Sequence, residues 1–256
     1  MKSLQSVRNP VVQAARALDS ARERKKQNAF LLDGEHMVGE ALRACPEQVR
    51  TLFVEEGRDY QSLIDLARGD VYAVPAHVLE AISQVKTSQG IAAVCALPEN
   101  VPLENMGQRL VLLENVQDPG NVGTVLRTLD AAGFDGCILT PGCADPFGPK
   151  ALRATMGSAF RVPICMAQSA GQAVERLNQQ GYATIAAALD GQPFYQRGPL
   201  PDKVCVLIGN EGAGLRADTL RLCTHHYRLP MRGGAESLNA AVAAAIFMYE
   251  LTRHLP

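Results

Sequence analysis

Apolar and polar positions alternate along this chain in two periods, and the switches between them predict a succession of strands and helices. In the first part, a spacing of three to four residues predicts a helix over about 10 to 26. After it come strand FLLDG, helix HMVGEALRAC, strand TLFVEE, helix DYQSLIDLAR, short strand DVYAV, helix HVLEAIS and strand GIAAVCAL. Periodicity lapses in ALPENVPLENMGQ, where Pro and Asn collect, which places a domain boundary near residue 100. The second part opens on strand RLVLLENV, helix NVGTVLRTLDAAG, strand GCILT and helices PKALRATMG and AGQAVERLNQQG. It continues with strands ATIAAAL and KVCVLIG, helix RADTLRLC, strand HHYRLP and a final helix SLNAAVAAAIFMYELTRH. The pattern predicts an α/β protein: a small α/β sandwich, then a parallel sheet covered by helices on both faces.

Composition narrows the class without naming a function. With 256 residues, 47% hydrophobic and 20% charged, the chain is globular and buries a sizeable core in one large domain or two modest ones. Seven cysteines without a C-x-x-C pair suggest neither a disulfide framework nor a zinc ribbon, and a reducing cytoplasm fits best. No signal-peptide stretch opens the chain, and AAVAAAIFMY is too short to span a bilayer, so a soluble protein is expected. The net charge of -1 argues against a nonspecific nucleic-acid coat. Residues 1–26 nevertheless carry seven basic against two acidic side chains, five net positive charges. They read either as a phosphate-binding arm presenting Arg22, Arg24 and Lys25, or as the solvated face of an amphipathic helix.

Candidate chemistry gathers in three segments, NVQDPGNVGTVLRT (115–128), LIGNEGAGL (207–215) and LPMRGGAESLNAAVAAAI (229–246). Each follows a strand-like run and enters a turn or helix, the layout of one composite pocket walled by exposed backbone N–H groups. Neither Gly-rich turn is a nucleotide fingerprint: Gly120 and Gly123 form only G-x-x-G, and G-N-E-G-A-G lacks the Lys and hydroxyl of a P-loop. Nucleotide hydrolysis and NAD-dependent redox chemistry are therefore disfavoured. An acid within the turn repels phosphate but tolerates a cofactor with an amino group, a ribose or a sulfonium centre. S-adenosylmethionine has all three.

The stretch D-P-G-N-V-G-T-V-L-R-T, the turn G-N-E-G-x-G-L and the terminal L-P-M-x-G-x-x-x-S-L-N-x-x-V-A resemble, in order, the three motifs of the SpoU group of RNA ribose 2′-O-methyltransferases in the SPOUT superfamily. S-V-R-N-P, F-L-L-D-G, T-S-Q-G-I and D-P-F-G-P-K-A-L-R-A-T-M-G extend the likeness to members with an N-terminal RNA-binding domain. The resemblance implies an RNA substrate-binding domain over 1–98, a linker over 99–107 and a methyltransferase domain over 108–256 threaded into a trefoil knot. It also implies a homodimer that completes the site.

Carried over by motif, Arg127 is the catalytic arginine, with Asn121, Glu211 and Asn239 as polar supports. Gly209, Leu229, Met231 and Leu238 line the cofactor pocket, with Thr140 and Gly142 bordering it; Leu229 and Leu238 also read as plain core. Asn121 reads equally as a helix N-cap, and Ser237 as a cap of the last helix or a substrate contact. Asn239, placed inside that Ala-rich helix, needs partners for a buried amide. Lys150, Arg153 and Arg161 are either RNA contacts or surface charges. Ala241 stands where the family usually has a second serine. His225 and His226 have no third ligand at metal spacing, so no metal is assigned.

The reaction implied is methyl transfer to a ribose 2′-hydroxyl. A guanidine holds its proton far above neutral pH, so emptying it at pH 7 costs about 9 kcal/mol, which disfavours Arg127 as the base. A charged Arg127 clamping a substrate phosphate and stabilising the developing alkoxide is the cheaper role. The extra domain favours ribosomal RNA over tRNA. Methylation of tRNA and a noncatalytic RNA-binding module remain the alternatives.

Overall fold

The continuous apolar runs RLVLL, GCIL and VCVLI form the heart of the second unit of a computed structural model that describes residues 1–83 and 87–254. In chain order the strands are β1 (Lys2–Ser3), β2 (Ala29–Asp33), β3 (Val49–Glu55), β4 (Asp70–Val74), β5 (Ile91–Ala96), β6 (Arg109–Leu113), β7 (Gly136–Leu139), β8 (Ile164–Met166), β9 (Ala183–Pro193), β10 (Val204–Ile208) and β11 (His225–Arg228). The helices are α1 (Pro10–Ala17), α2 (Ala21–Gln27), α3 (Glu35–Ala44), α4 (Gln61–Ile64), α5 (Ala76–Ile82), α6 (Pro119–Ala131), α7 (Pro149–Thr155), α8 (Ala170–Gln179), α9 (Ala217–Leu222) and α10 (Ala240–Thr252). The chain divides into two units, Met1–Glu99 with Phe147–Arg161, and Asn100–Pro146 with Val162–Pro256.

In the first unit a mixed five-stranded sheet runs β1-β4-β3-β5-β2. Val12, Leu18, Leu31, Phe53 and Leu79 form its main core. The helix predicted over about 10 to 26 is two: Asn9 caps α1 with its side chain, and the turn at 18–20 separates α2. The segment 147–161, kept with the methyltransferase domain in the sequence reading, groups with this unit instead. The rings of Phe147 and Phe160 lie 5.1 and 6.3 Å from that of Phe30, and this aromatic packing outweighs chain proximity.

In the second unit six strands run β11-β9-β10-β6-β7-β8, every pair parallel. Strand residues alternate between faces. Leu110, Leu112, Cys205 and Leu207 share a core with Val174 and Leu177 of α8, and the intervening residues face the opposite side. There α10 packs on α6 and β10. Such a sheet is buried on both faces, which is why β6 and β10 read as unbroken apolar runs. The three-residue strand β8 was not foreseen, being too short for a period to register.

Candidate functional site

The site is built at the carboxyl ends of β6 and β10, where a parallel sheet leaves a crevice. Just past β6, Asn115 adopts a left-handed conformation (φ 55) and donates its N–H to Thr140 Oγ1 at 3.2 Å. Gly142, at φ +90, sits so close that an added Cβ would meet Asn115 Oδ1 at 2.2 Å. Thr140 and Gly142 thus brace Asn115 from behind. Neither is among the residues that wall the cavity described below.

Next, Asp118 caps α6: its Oδ1 accepts from the N–H groups of Gly120 at 2.6 Å and Asn121 at 3.1 Å, and Pro119 occupies the first turn. The cap is therefore Asp118 and not Asn121, whose side chain is released for the site. The D-P dipeptide carried this signal, since a capping acid before a helix-starting proline is the common arrangement.

At the end of β10 the chain turns back on itself through paired backbone bonds between Asn210 and Gly214. Asn210 Oδ1 accepts from the N–H groups of Gly212 and Ala213, both at 3.0 Å, and its Nδ2 donates to Asn115 O at 2.9 Å. This residue escaped the sequence reading. The turn is tight enough that a Cβ on Gly209 would lie 2.1 Å from Gly214 C and 2.2 Å from Leu215 N, both backbone atoms. Gly209→Ala is expected to destabilise the protein by about 2 kcal/mol through overpacking. It should also weaken S-adenosylmethionine binding; urea unfolding and calorimetry read the two effects.

The turn aims Glu211 at the start of α6. One carboxylate oxygen accepts from Asp118 N at 3.0 Å and Asn121 Nδ2 at 2.9 Å; the other accepts from Gln117 N at 3.2 Å. Burial alone would raise the Glu211 pKa, but the bonds from Asn121 and the Asp118 and Gln117 backbone together outweigh it and hold the pKa below its ordinary value. The amino end of a helix favours the anion in the same sense. Asn121 passes the connection on, its Oδ1 accepting from Asn239 Nδ2 at 2.9 Å. Asn239 is the N-cap of α10, accepting from Ala241 N at 2.9 Å and Val242 N at 3.2 Å. It is exposed and not inside the helix, and Ser237 does not cap α10. Glu211, Asn121 and Asn239 join the three motifs in one hydrogen-bonded line.

Beside this line lies a cavity of about 240 Å³, walled by Gly209, Glu211, Leu229, Met231, Leu238 and Phe247, and bounded also by Ser237 and Asn239. Leu229 is 8% exposed, yet Leu238 is 37% exposed, so the reading of both as plain core does not hold for Leu238. Apolar walls suit the flat face of a base, and an ionised carboxylate suits a positively charged group. Arg228, also in the lining, has a guanidinium N–H engaged by Gly191 O at 2.9 Å. The residues present fit S-adenosylmethionine.

Arg127 lies six residues beyond Asn121 on α6, exposed, its side chain without a hydrogen bond or ion pair among the described residues, and it does not line this cavity. Lys150 and Arg153 are exposed on α7, in the first unit. Arg161 pairs with Glu40 at 2.8 Å. Arg22 and Lys25 are exposed on α2, whereas Arg24 is 5% exposed and donates to the Leu18 and Asp19 carbonyls. Arg24 is a structural pin, not an RNA contact. His225 and His226 are engaged by Thr224 Oγ1 and Leu220 O, at 2.9 and 2.8 Å. Among the described residues no cluster of three His, Cys, Asp or Glu is placed to hold a metal.

The family model described as the SpoU rRNA Methylase family matches residues 108–249, more than half of the chain. The chain belongs to the SpoU rRNA methylase family. A second model, described as the MRM3-like substrate binding domain, matches residues 9–93. Among relatives, the 23S rRNA (guanosine(2553)-2′-O)-methyltransferase RlmP of Bacillus subtilis is 38% identical over 98% of this chain and 99% of its own. The 23S rRNA (guanosine-2′-O-)-methyltransferase RlmB of Coxiella burnetii is 31% identical over 86% and 94%. The AdoMet-bound rRNA methyltransferase from Sinorhizobium meliloti superimposes with a TM-score of 0.89 at 31% identity, covering 100% of this chain and 98% of that one. AviRb from Streptomyces viridochromogenes, solved with AdoMet, gives a TM-score of 0.85 at 29% identity over 96% and 98%. As a SpoU methylase, this chain is an S-adenosylmethionine-dependent RNA methyltransferase.

Proposed function

We propose that the protein transfers a methyl group from S-adenosylmethionine to the ribose 2′-hydroxyl of a guanosine in 23S ribosomal RNA. The line of bonds from Glu211 through Asn121 to Asn239, beside one cavity, carries the chemical part of this reading. The names of the two relatives above support the choice of RNA. The cofactor, when bound, supplies a methyl group on a good leaving group. The Gly209 turn and Leu229 hold it, Glu211 fixes the turn against α6, and residues 1–98 with Arg22 and Lys25 grip the RNA, joined by Lys150 and Arg153. Arg127 clamps a substrate phosphate and steadies charge on the attacking oxygen, whose proton passes to that phosphate or to water. Ser237, exposed at the cavity, contacts substrate. Incubating the enzyme with ribosomal RNA and tRNA from a deletion strain, then mapping 2′-O-methyl groups, tests this. One new site in 23S RNA is expected, and modification of tRNA alone overturns it.

The site is completed across a homodimer in this proposal. Arg127 does not line its own chain's cavity, which supports its being presented by a second copy. Val242 and Tyr249, seven residues apart on one stripe of α10, are 47% and 54% exposed and form an apolar face suited to a second copy. Val242→Glu with Tyr249→Glu should convert the dimer to a monomer in sedimentation and abolish methylation. The trefoil knot belongs to the same proposal. In its support, after the edge strand β11 the chain returns to pack α10 on α6 and β10. No helix among the described residues is long and apolar enough to cross a membrane. A ribosomal RNA substrate places the enzyme in the cytoplasm.

A further inference from the structure

At the opposite end of the second unit's sheet, the amino ends of β6 and β10 open onto a separate cavity of about 500 Å³. Arg109 of β6 and Arg197, Arg253 and His254 line it, together with Glu250 and Asp202. Glu250 lies about 16 Å along α10 from Asn239 at 1.5 Å per residue, so this is not an extension of the cofactor cavity.

Its charge is unbalanced in one place. The two acids face three guanidinium groups. Glu250 is shared between Arg197 at 3.3 Å and Arg253 at 3.5 Å, and Asp202 is exposed, where water screens it. Arg109 has neither acid: its side chain has no hydrogen bond or ion pair among the described residues, and its Nε is sealed from solvent without an acceptor. A guanidinium partly stripped of water and left unpaired is costly, so the cavity it lines favours an anion. Arg197 is rigid enough to contribute, its guanidinium carbon 4.2 Å from the centre of the Phe194 ring and its side chain 16% exposed. The Pro199–Pro201 stretch gives the cavity a stiff wall.

We propose that this cavity binds a phosphoryl group, held by the planar fork of Arg109 with Arg253 and Arg197 as supporting charges. The phosphate belongs either to a free phosphate or nucleotide or to an RNA backbone. Titration with inorganic phosphate at constant ionic strength, followed by calorimetry, should show one saturable site per chain. Arg109→Gln should weaken it about tenfold, the loss of one charge-assisted pair, with S-adenosylmethionine affinity unchanged. Absence of saturable binding, or equal affinity in the variant, overturns the proposal. If Arg109→Gln does not fold, Arg253→Gln decides: its exposed side chain tolerates substitution, weaker binding upholds the site and unchanged binding ends it. Displacement of phosphate by a short single-stranded RNA assigns the natural occupant to RNA; persistence assigns it to a free phosphate compound.

Discussion

Arg127→Ala lowers kcat/KM for RNA methylation by about 10³-fold, the loss on removing one preorganised donor to a developing oxyanion. Stability changes by less than about 0.5 kcal/mol, as for other surface positions, because the Arg127 side chain is exposed and makes no hydrogen bond or ion pair among the described residues. Binding of S-adenosylmethionine persists, since Arg127 lies outside the cavity. Arg127→Lys keeps the charge but not the bidentate fork, so near-normal turnover in that variant would remove the phosphate clamp from the mechanism. Mixing subunits separates the arginine from the cavity. Arg127→Ala combined with a cavity-blocked Leu229→Arg variant forms heterodimers with one intact site, and random pairing restores roughly a quarter of wild-type activity. Rescue in the mixture confirms a site shared between copies. No rescue means that each chain works alone.

Glu211→Ala has the next largest effect, a fall in kcat/KM of about 10²-fold, the consequence of small displacements in a reacting assembly. The carboxylate accepts from Gln117 N, Asp118 N and Asn121 Nδ2. Without it the 209–215 turn and the start of α6 lose their tie. Glu211→Gln is not an innocent replacement, because its amide sets donors against donors on one side. The same group shapes acid stability. Its pKa is held below the ordinary 4.5 in the folded state. Its contribution is therefore fully present above 4.5 and is lost as pH falls through the lowered folded value. Thermal unfolding between pH 3 and 5 should show a shallower decline for Glu211→Gln than for wild type. Identical slopes would show that Glu211 is ionised to the same extent in both states.

Strands β6 and β10 were legible because both faces of a parallel strand are buried, leaving unbroken apolar runs. The pairing of Asn121 with Glu211 and of Asn239 with Asn121 was not, since bonds spanning 90 and 118 positions leave no local period. The strand-turn layout gathered the three segments at one pocket, but it did not pair these side chains. Arg24 misled for a different reason: a basic cluster reads as solvated whether or not one member folds inward onto carbonyls. Segment 147–161 misled because aromatic packing on Phe30 is a tertiary preference that no spacing records. The cap reading of Asn121 stays open in the sequence although Asp118 stands before a proline. There the information was present and underused.

The bond from Asn239 to Asn121 also orders events in time. During translation α6 and the Glu211 turn emerge well before residue 239, yet the second support of Asn121 arrives only when the start of α10 has been synthesised and has docked. Contacts of such long separation form late. A nascent chain therefore lacks the tie between its first and third motifs until this last latch closes.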